Sequence, residues 1–227
     1  MKWRRRERHF IRTASLWLCC FGATFAAAQD LQSWNEVDLT ASWRNIEFLV
    51  PLLARVDSSL PNPQLVATGV MADLPLRWHL TFTGGYLFAV VPQRPLNVHL
   101  PIIALTPTLK VRHFVLADRN RFEKLIGFTD SPVRYRNRFL LDAPFGARER
   151  WHVFLDDEII FNVTDGDWNQ NRFQVGGGRQ LASRLLLDVY YLRRNLSGGA
   201  PSQNVLGTTL RIGLRPRKQI VSGPDNS

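Results

Sequence analysis

The chain reads as all-β: an antiparallel transmembrane β-barrel of about 12 strands, with ten as the alternative count. Three observations carry that reading. Long segments alternate polar and apolar residues with a period of two, which sends successive side chains to opposite faces of a strand. No stretch after the leader reaches the ~18 consecutive apolar residues of a membrane helix, so no helices of that kind accompany the strands. The chain also opens on a leader built for export.

That leader spans residues 1–28 and reads as a cleaved signal peptide. Lys2, Arg4, Arg5, Arg6, Arg8 and Arg12 form the basic start, residues 14–25 are apolar, and Ala26-Ala27-Ala28 before Gln29 fits a small-residue cleavage site. It holds six of the 29 Lys and Arg and one of the 19 Asp and Glu, which leaves 23 against 18 and a mature net charge near +5. The basic pI of 10.5 is thus partly a property of the leader, and nucleic-acid binding loses its main support. Cys19 and Cys20 lie in the leader, so the mature chain has no disulfide, thiolate metal site or cysteine nucleophile. The expected organisation is a signal peptide over 1–28, one barrel over 29–215 and a polar C-terminal tail over 216–227.

Eleven strand-like segments follow one another in the mature chain. The first, 34–42, carries Glu36 and Asp38 on one face; 45–56 follows and ends before the breaker SSLPNP. Segment 64–72 alternates poorly. In 76–90, Trp78, Leu80, Phe82 and Tyr86 oppose Arg77, His79, Thr81 and Thr83, and PQRP closes the segment. Segment 96–105 is irregular, with Pro101 awkward inside a strand. Segment 108–118 comes next, and 119–129 reads as a loop with a short helical turn. In 132–143, Arg134, Arg136 and Arg138 share one parity while Val133, Tyr135, Phe139 and Leu141 share the other. In 148–163, His152, Asp156, Glu158 and Asn162 alternate with Trp151, Val153, Leu155, Ile159 and Phe161. After TDGD, segment 168–179 sets Gln170, Arg172 and Gln174 against Phe173 and Val175. Segment 183–194 sets Arg184, Asp188 and Tyr190 against Leu185, Leu187, Val189 and Tyr191, and SGGAPS ends it. The last, 204–215, sets Leu206, Leu210, Ile212 and Leu214 against Gly207, Thr209, Arg211 and Gly213.

Alternation alone suits a soluble sandwich, a soluble ligand-carrying barrel or a membrane barrel. Length and aromatics separate them. Sandwich strands run about 5–6 residues, whereas several segments here exceed ten. Trp34, Trp78, Tyr86, Trp151, Phe161, Trp168 and Tyr191 sit towards segment ends, as interface girdles do. An arginine facing lipid near the bilayer middle costs about 2–4 kcal/mol, so Arg134, Arg136 and Arg138 are expected to face the lumen or to project beyond the membrane. Eleven segments conflict with the even counts of bacterial single-chain barrels, hence the expectation of 12 or ten.

The residues Trp34-Asn35-Glu36, Tyr135-Arg136-Asn137-Arg138, Asp157 to Asn162 (DEIIFN) and Asn169-Gln170-Asn171-Arg172 carry a resemblance. In them the chain resembles the bacterial family known as domain of unknown function 2490, and the likeness is densest over 119–213. The resemblance implies an outer-membrane β-barrel without an assigned activity. The end departs from such barrels, which stop on a final aromatic residue: Leu214 here is followed by a polar tail.

Glu36, Asp38, Arg134, Arg136, Arg138, Asp156, Glu158, Arg172 and Asp188 all fall on the lumen parity and form the candidate site, a charge network filling a narrow lumen or lining a small polar path. Pairing that merely holds the barrel shut is the plainer reading. No histidine–serine arrangement suggests a catalyst, and an enzyme is not expected. His152, Asp156 and Glu158 share a face that suits a hard cation, but ion pairs with the arginines explain them better, so no metal or cofactor is expected. Gly176-Gly177-Gly178 lacks the lysine of a phosphate loop and reads as a strand kink or bulge. The expected role is a monomeric, structural or narrow-pore protein of the cell outer membrane in a Gram-negative bacterium. Its partners would be outer-membrane lipid and, during biogenesis, the barrel-assembly machinery. A lipid-modifying enzyme and a soluble periplasmic barrel holding an apolar ligand are the alternatives.

Overall fold

In a computed structural model that describes residues 31–57, 63–94 and 96–214, eleven strands close into one barrel. The expected signal peptide and the C-terminal tail lie outside the described residues. The strands are β1 (Leu31–Trp43), β2 (Ile46–Asp57), β3 (Leu65–Pro75), β4 (Leu80–Val91), β5 (Leu96–Val111), β6 (Phe114–Lys124), β7 (Val133–Phe145), β8 (Trp151–Asn162), β9 (Asp167–Ala182), β10 (Leu185–Leu196) and β11 (Gln203–Gly213). Each pairs antiparallel with its sequence neighbour. The count corrects the expected 12 or ten. An up-and-down barrel with an odd number of strands leaves its first and last pointing the same way. β1 and β11 accordingly pair in parallel, from Leu31↔Asn204 to Thr40↔Gly213.

The two mouths differ. One is closed by short connections such as Arg44-Asn45, Arg112-His113 and Ser183-Arg184; the other carries the longer ones between β6 and β7 and between β10 and β11. We call them the short-turn mouth and the long-loop mouth.

Four local expectations are corrected. Residues 119–124 are not loop but the second half of β6, and segments 96–105 and 108–118 do not part at Pro107: β5 runs on to Val111 and the turn lies at Arg112-His113. Pro107 cannot donate to the ladder, and the β5–β6 pairing skips from Leu105↔Asn120 to Thr108↔Ala117 while the strand continues. The glycines at 176–178 are neither kink nor bulge: β9 keeps register with both neighbours through them, and its irregularities fall at Ile160/Phe161 and Leu185/Leu186. Gly178 is needed for room, because an added Cβ would collide with His152 Nε2 and Asp188 Oδ1. Trp34 does not sit in an outer girdle. It shares parity with Glu36 and is buried in the interior, with Arg55 stacked 3.9 Å from its ring centroid.

The wall turns apolar side chains outward. Phe139 is 46% exposed, Val175 45% and Val189 53%, alongside Leu52, Val70 and Ile103. Trp43, Trp78, Phe114, Phe145 and Trp151 are exposed around the short-turn mouth. One polar stripe interrupts the wall across β6–β9. Asn137 donates to Asp118 Oδ1 at 2.5 Å, Tyr135 to Asn120 at 2.5 Å, and Asn171 to Asp157 Oδ1 at 2.7 Å. On β7 this leaves Phe139, Leu141, Ala143 and Phe145 as an apolar run between the stripe and the short-turn mouth.

Candidate functional site

Inward parity on β6 to β9 brings arginines and carboxylates from four neighbouring strands into one network. Glu158 on β8 is its hub. Arg136 Nη2 donates to Oε1 at 2.8 Å and Oε2 at 2.7 Å, Arg172 Nη1 to Oε2 at 3.2 Å, and Arg119 Nη2 to Oε1 at 3.4 Å. Glu123 on β6, 1% exposed, is a second hub. It accepts from Arg134 and from Arg136 Nη1 at 3.3 Å, and forms an ion pair with Arg121 at 2.5 Å. Arg136 therefore bridges the hubs, and Arg138 pairs separately with Asp156 at 2.7 Å. Arginine suits this position because its planar fork donates in several directions at once.

A second group lies nearer the short-turn mouth. His152 Nδ1 is 2.7 Å from Asp142 Oδ1 and its Nε2 is 2.8 Å from Asp188 Oδ1. Each ring nitrogen thus faces a carboxylate oxygen, and the imidazole bridges β7 to β10. Arg211 reaches Asp188 at 3.1 Å and Asp38 at 3.7 Å, which ties the parallel seam to β10.

Of the nine residues singled out from the sequence, Arg134, Arg136, Glu158 and Arg172 meet in the first network, with the Arg138–Asp156 pair beside it. Asp38 and Asp188 belong to the second. Glu36 lines the same cavity but joins no ion pair among the described residues. His152, Asp156 and Glu158 do not converge as ligands: their partners are Asp142 and Asp188, Arg138, and Arg136 respectively. Sequence reasoning missed Arg119, Arg121 and Glu123, whose i, i+2, i+4 spacing was the available signal. It also missed Arg55, Asp142 and Arg211.

The lumen is open at one end and filled at the other. A cavity of about 750 Å³ reaches the short-turn rim at Ser42, Glu47, Ser183 and Arg184 and descends to Arg136, Arg172 and Trp34. Beyond them Ile160 and Val205 are fully buried, and Gln32 and Gln170 nearly so. Ala89, Val98 and Leu125 pack into an apolar cluster on the β4–β6 side of the same end. The arrangement is a blind vestibule with a charged floor.

No curated protein matches the chain. The sequence profile of the family described as a protein of unknown function, DUF2490, matches residues 31–205, and that description assigns no activity. Spanning ten of the eleven strands and part of the last, this match shows that the chain belongs to the DUF2490 family.

Proposed function

We propose that the protein is a small monomeric barrel of the outer membrane, exported by the signal peptide in residues 1–28. Its lumen serves as a closed-bottomed vestibule rather than a through-channel. One observation carries the reading: apolar side chains face outward around the wall while arginine and glutamate point to the axis. In water that arrangement would leave an apolar surface far larger than soluble proteins expose. In a bilayer it is the expected sense of alternation. Trp43 and Trp151 at the short-turn rim, with Arg44 and Arg179 each 4.7 Å from a ring centroid, suit a headgroup interface. The buried plug behind Arg136 favours a structural role over conduction.

The test uses the cysteine-free mature chain. Single cysteines at Phe139, Val189 and Leu186 carry a fluorophore, and the protein is reconstituted with lipids brominated on their acyl chains. Labels at 139 and 189 are quenched and the inward one at 186 is spared. Unquenched labels at 139 and 189, with release of the chain by salt and sonication, overturn the membrane reading. Planar-bilayer recording separates vestibule from pore: a steady unit conductance for the native chain refutes the closed lumen.

A further inference from the structure

The vestibule lining holds eight arginines and eight carboxylates, and the two signs are segregated along its depth, with the arginines in excess on the floor. Arg55, Arg119, Arg121, Arg136, Arg138 and Arg172 line it against Glu36, Asp156 and Glu158, an excess of three. The Arg134–Glu123 pair behind the floor does not change that excess. Arginine does not discharge by losing a proton. The hydrogen bonding is incomplete in the same place: the buried Nε groups of Arg55, Arg119, Arg121 and Arg138 have no protein acceptor. The mouth has the opposite sign. Asp38, Glu47, Asp73, Asp142 and Asp188 face the cavity there against Arg184, Arg211 and the His152 ring, which leaves the acids in excess; Asp38 pairs with Arg211 through Oδ2, and its Oδ1 is buried without a protein donor. Asp38 lies two residues from Glu36 along β1, about 7 Å up the wall at strand rise.

We propose that the vestibule binds a small zwitterion, its phosphate or carboxylate on the arginine floor and its ammonium group at Asp38. Oxyanions match the forked donors of arginine. The acidic mouth disfavours a bare anion and admits one that carries its own cation. A cavity of about 750 Å³ is of ligand size. The proposal rests on the lumen and not on where the barrel resides.

Phosphoethanolamine is the probe, with inorganic phosphate and ethanolamine as controls at equal ionic strength, added to the mature barrel in detergent. Phosphoethanolamine raises the unfolding midpoint saturably, by about 5–10 °C at a hundredfold excess over its Kd. Phosphate gives a smaller rise and ethanolamine none. Arg119→Gln with Arg138→Gln abolishes the response. Should that pair fail to fold, Met71→Glu keeps every arginine and sets a carboxylate on the wall shared with Arg119 and Arg121; it too abolishes the response. Asp38→Asn brings phosphoethanolamine down to the level of phosphate. The proposal falls if phosphoethanolamine gives no saturable rise, if phosphate or ethanolamine equals it, or if Met71→Glu responds like the native chain.

Discussion

The arginine excess on the vestibule floor makes two deletions unequal, although they break the same contact. Glu158→Gln removes the carboxylate shared by Arg119, Arg136 and Arg172. Three guanidinium groups then face an amide, in a region already over-positive. Removing one partner from a buried charge pair costs about 3–5 kcal/mol, and the added repulsion puts Glu158→Gln at the upper end of that range. Arg136→Gln breaks more hydrogen bonds, since Arg136 donates to both hubs. Yet it leaves Glu158 with Arg119 and Arg172, and Glu123 with Arg121 and Arg134. It also relieves repulsion, so a loss of about 1–2 kcal/mol is expected, near the lower range for a charged hydrogen bond. At roughly 2–4 °C per kcal/mol for a domain of this size, the midpoints fall by about 15 °C and about 4 °C respectively. Heat-modifiable gel mobility, read over a temperature series in one detergent, measures both. Arg136→Gln falling as far as Glu158→Gln, or further, would refute the unequal charge balance.

Other substitutions probe separate parts of the fold. Gly178→Ala drives a methyl into the His152–Asp188 contact and destabilises by about 1–3 kcal/mol; a thermal midpoint equal to the native one contradicts the packing. Val189→Arg on the outer wall costs about 2–4 kcal/mol in lipid if it lies near the midplane, read as folded fraction against urea in liposomes. The same change in a water-facing wall would be neutral. Trp34→Leu removes the stacked partner of Arg55 and leaves a gap in the plug, lowering stability by about 2–4 kcal/mol. It also admits small-ion leakage through the barrel in liposome flux assays, where a tight variant would show that the plug does not depend on Trp34.

Parity made much of this fold legible. On β7, β8, β9 and β10 most polar and apolar residues alternate, despite Asn137, Asp157 and Asn171 outside and Phe154, Ile160 and Leu192 inside, and Arg136, Glu158, Arg172 and Asp188 could be assigned to the interior one strand at a time. β6 resisted, because its outer face holds Asp118 and Asn120, members of the polar stripe, so DRNRFEK showed no two-faced pattern and its inward Arg119, Arg121 and Glu123 went unread. Pro107 looked like a break, although the strand tolerates it by skipping ladder bonds. Arg55 and the Asp142–His152–Asp188 chain depend on cross-strand register, which no single segment contains. The eleven segments were visible; the even-number expectation displaced them, since nothing in the sequence announces a parallel seam.

That seam bears on what happens when the ring is open. A sheet built from an even number of strands offers two edges running in opposite directions, which favours mating with its own far side. Here the two free edges run the same way, and each can pair antiparallel only with its counterpart on another molecule. Two unclosed copies could therefore join, first edge to first edge and last to last, into one enlarged ring with a twofold axis. In a bilayer this needs one copy upside down, which vectorial insertion forbids. In a refolding mixture nothing forbids it, and dilution becomes the condition for recovering the single ring.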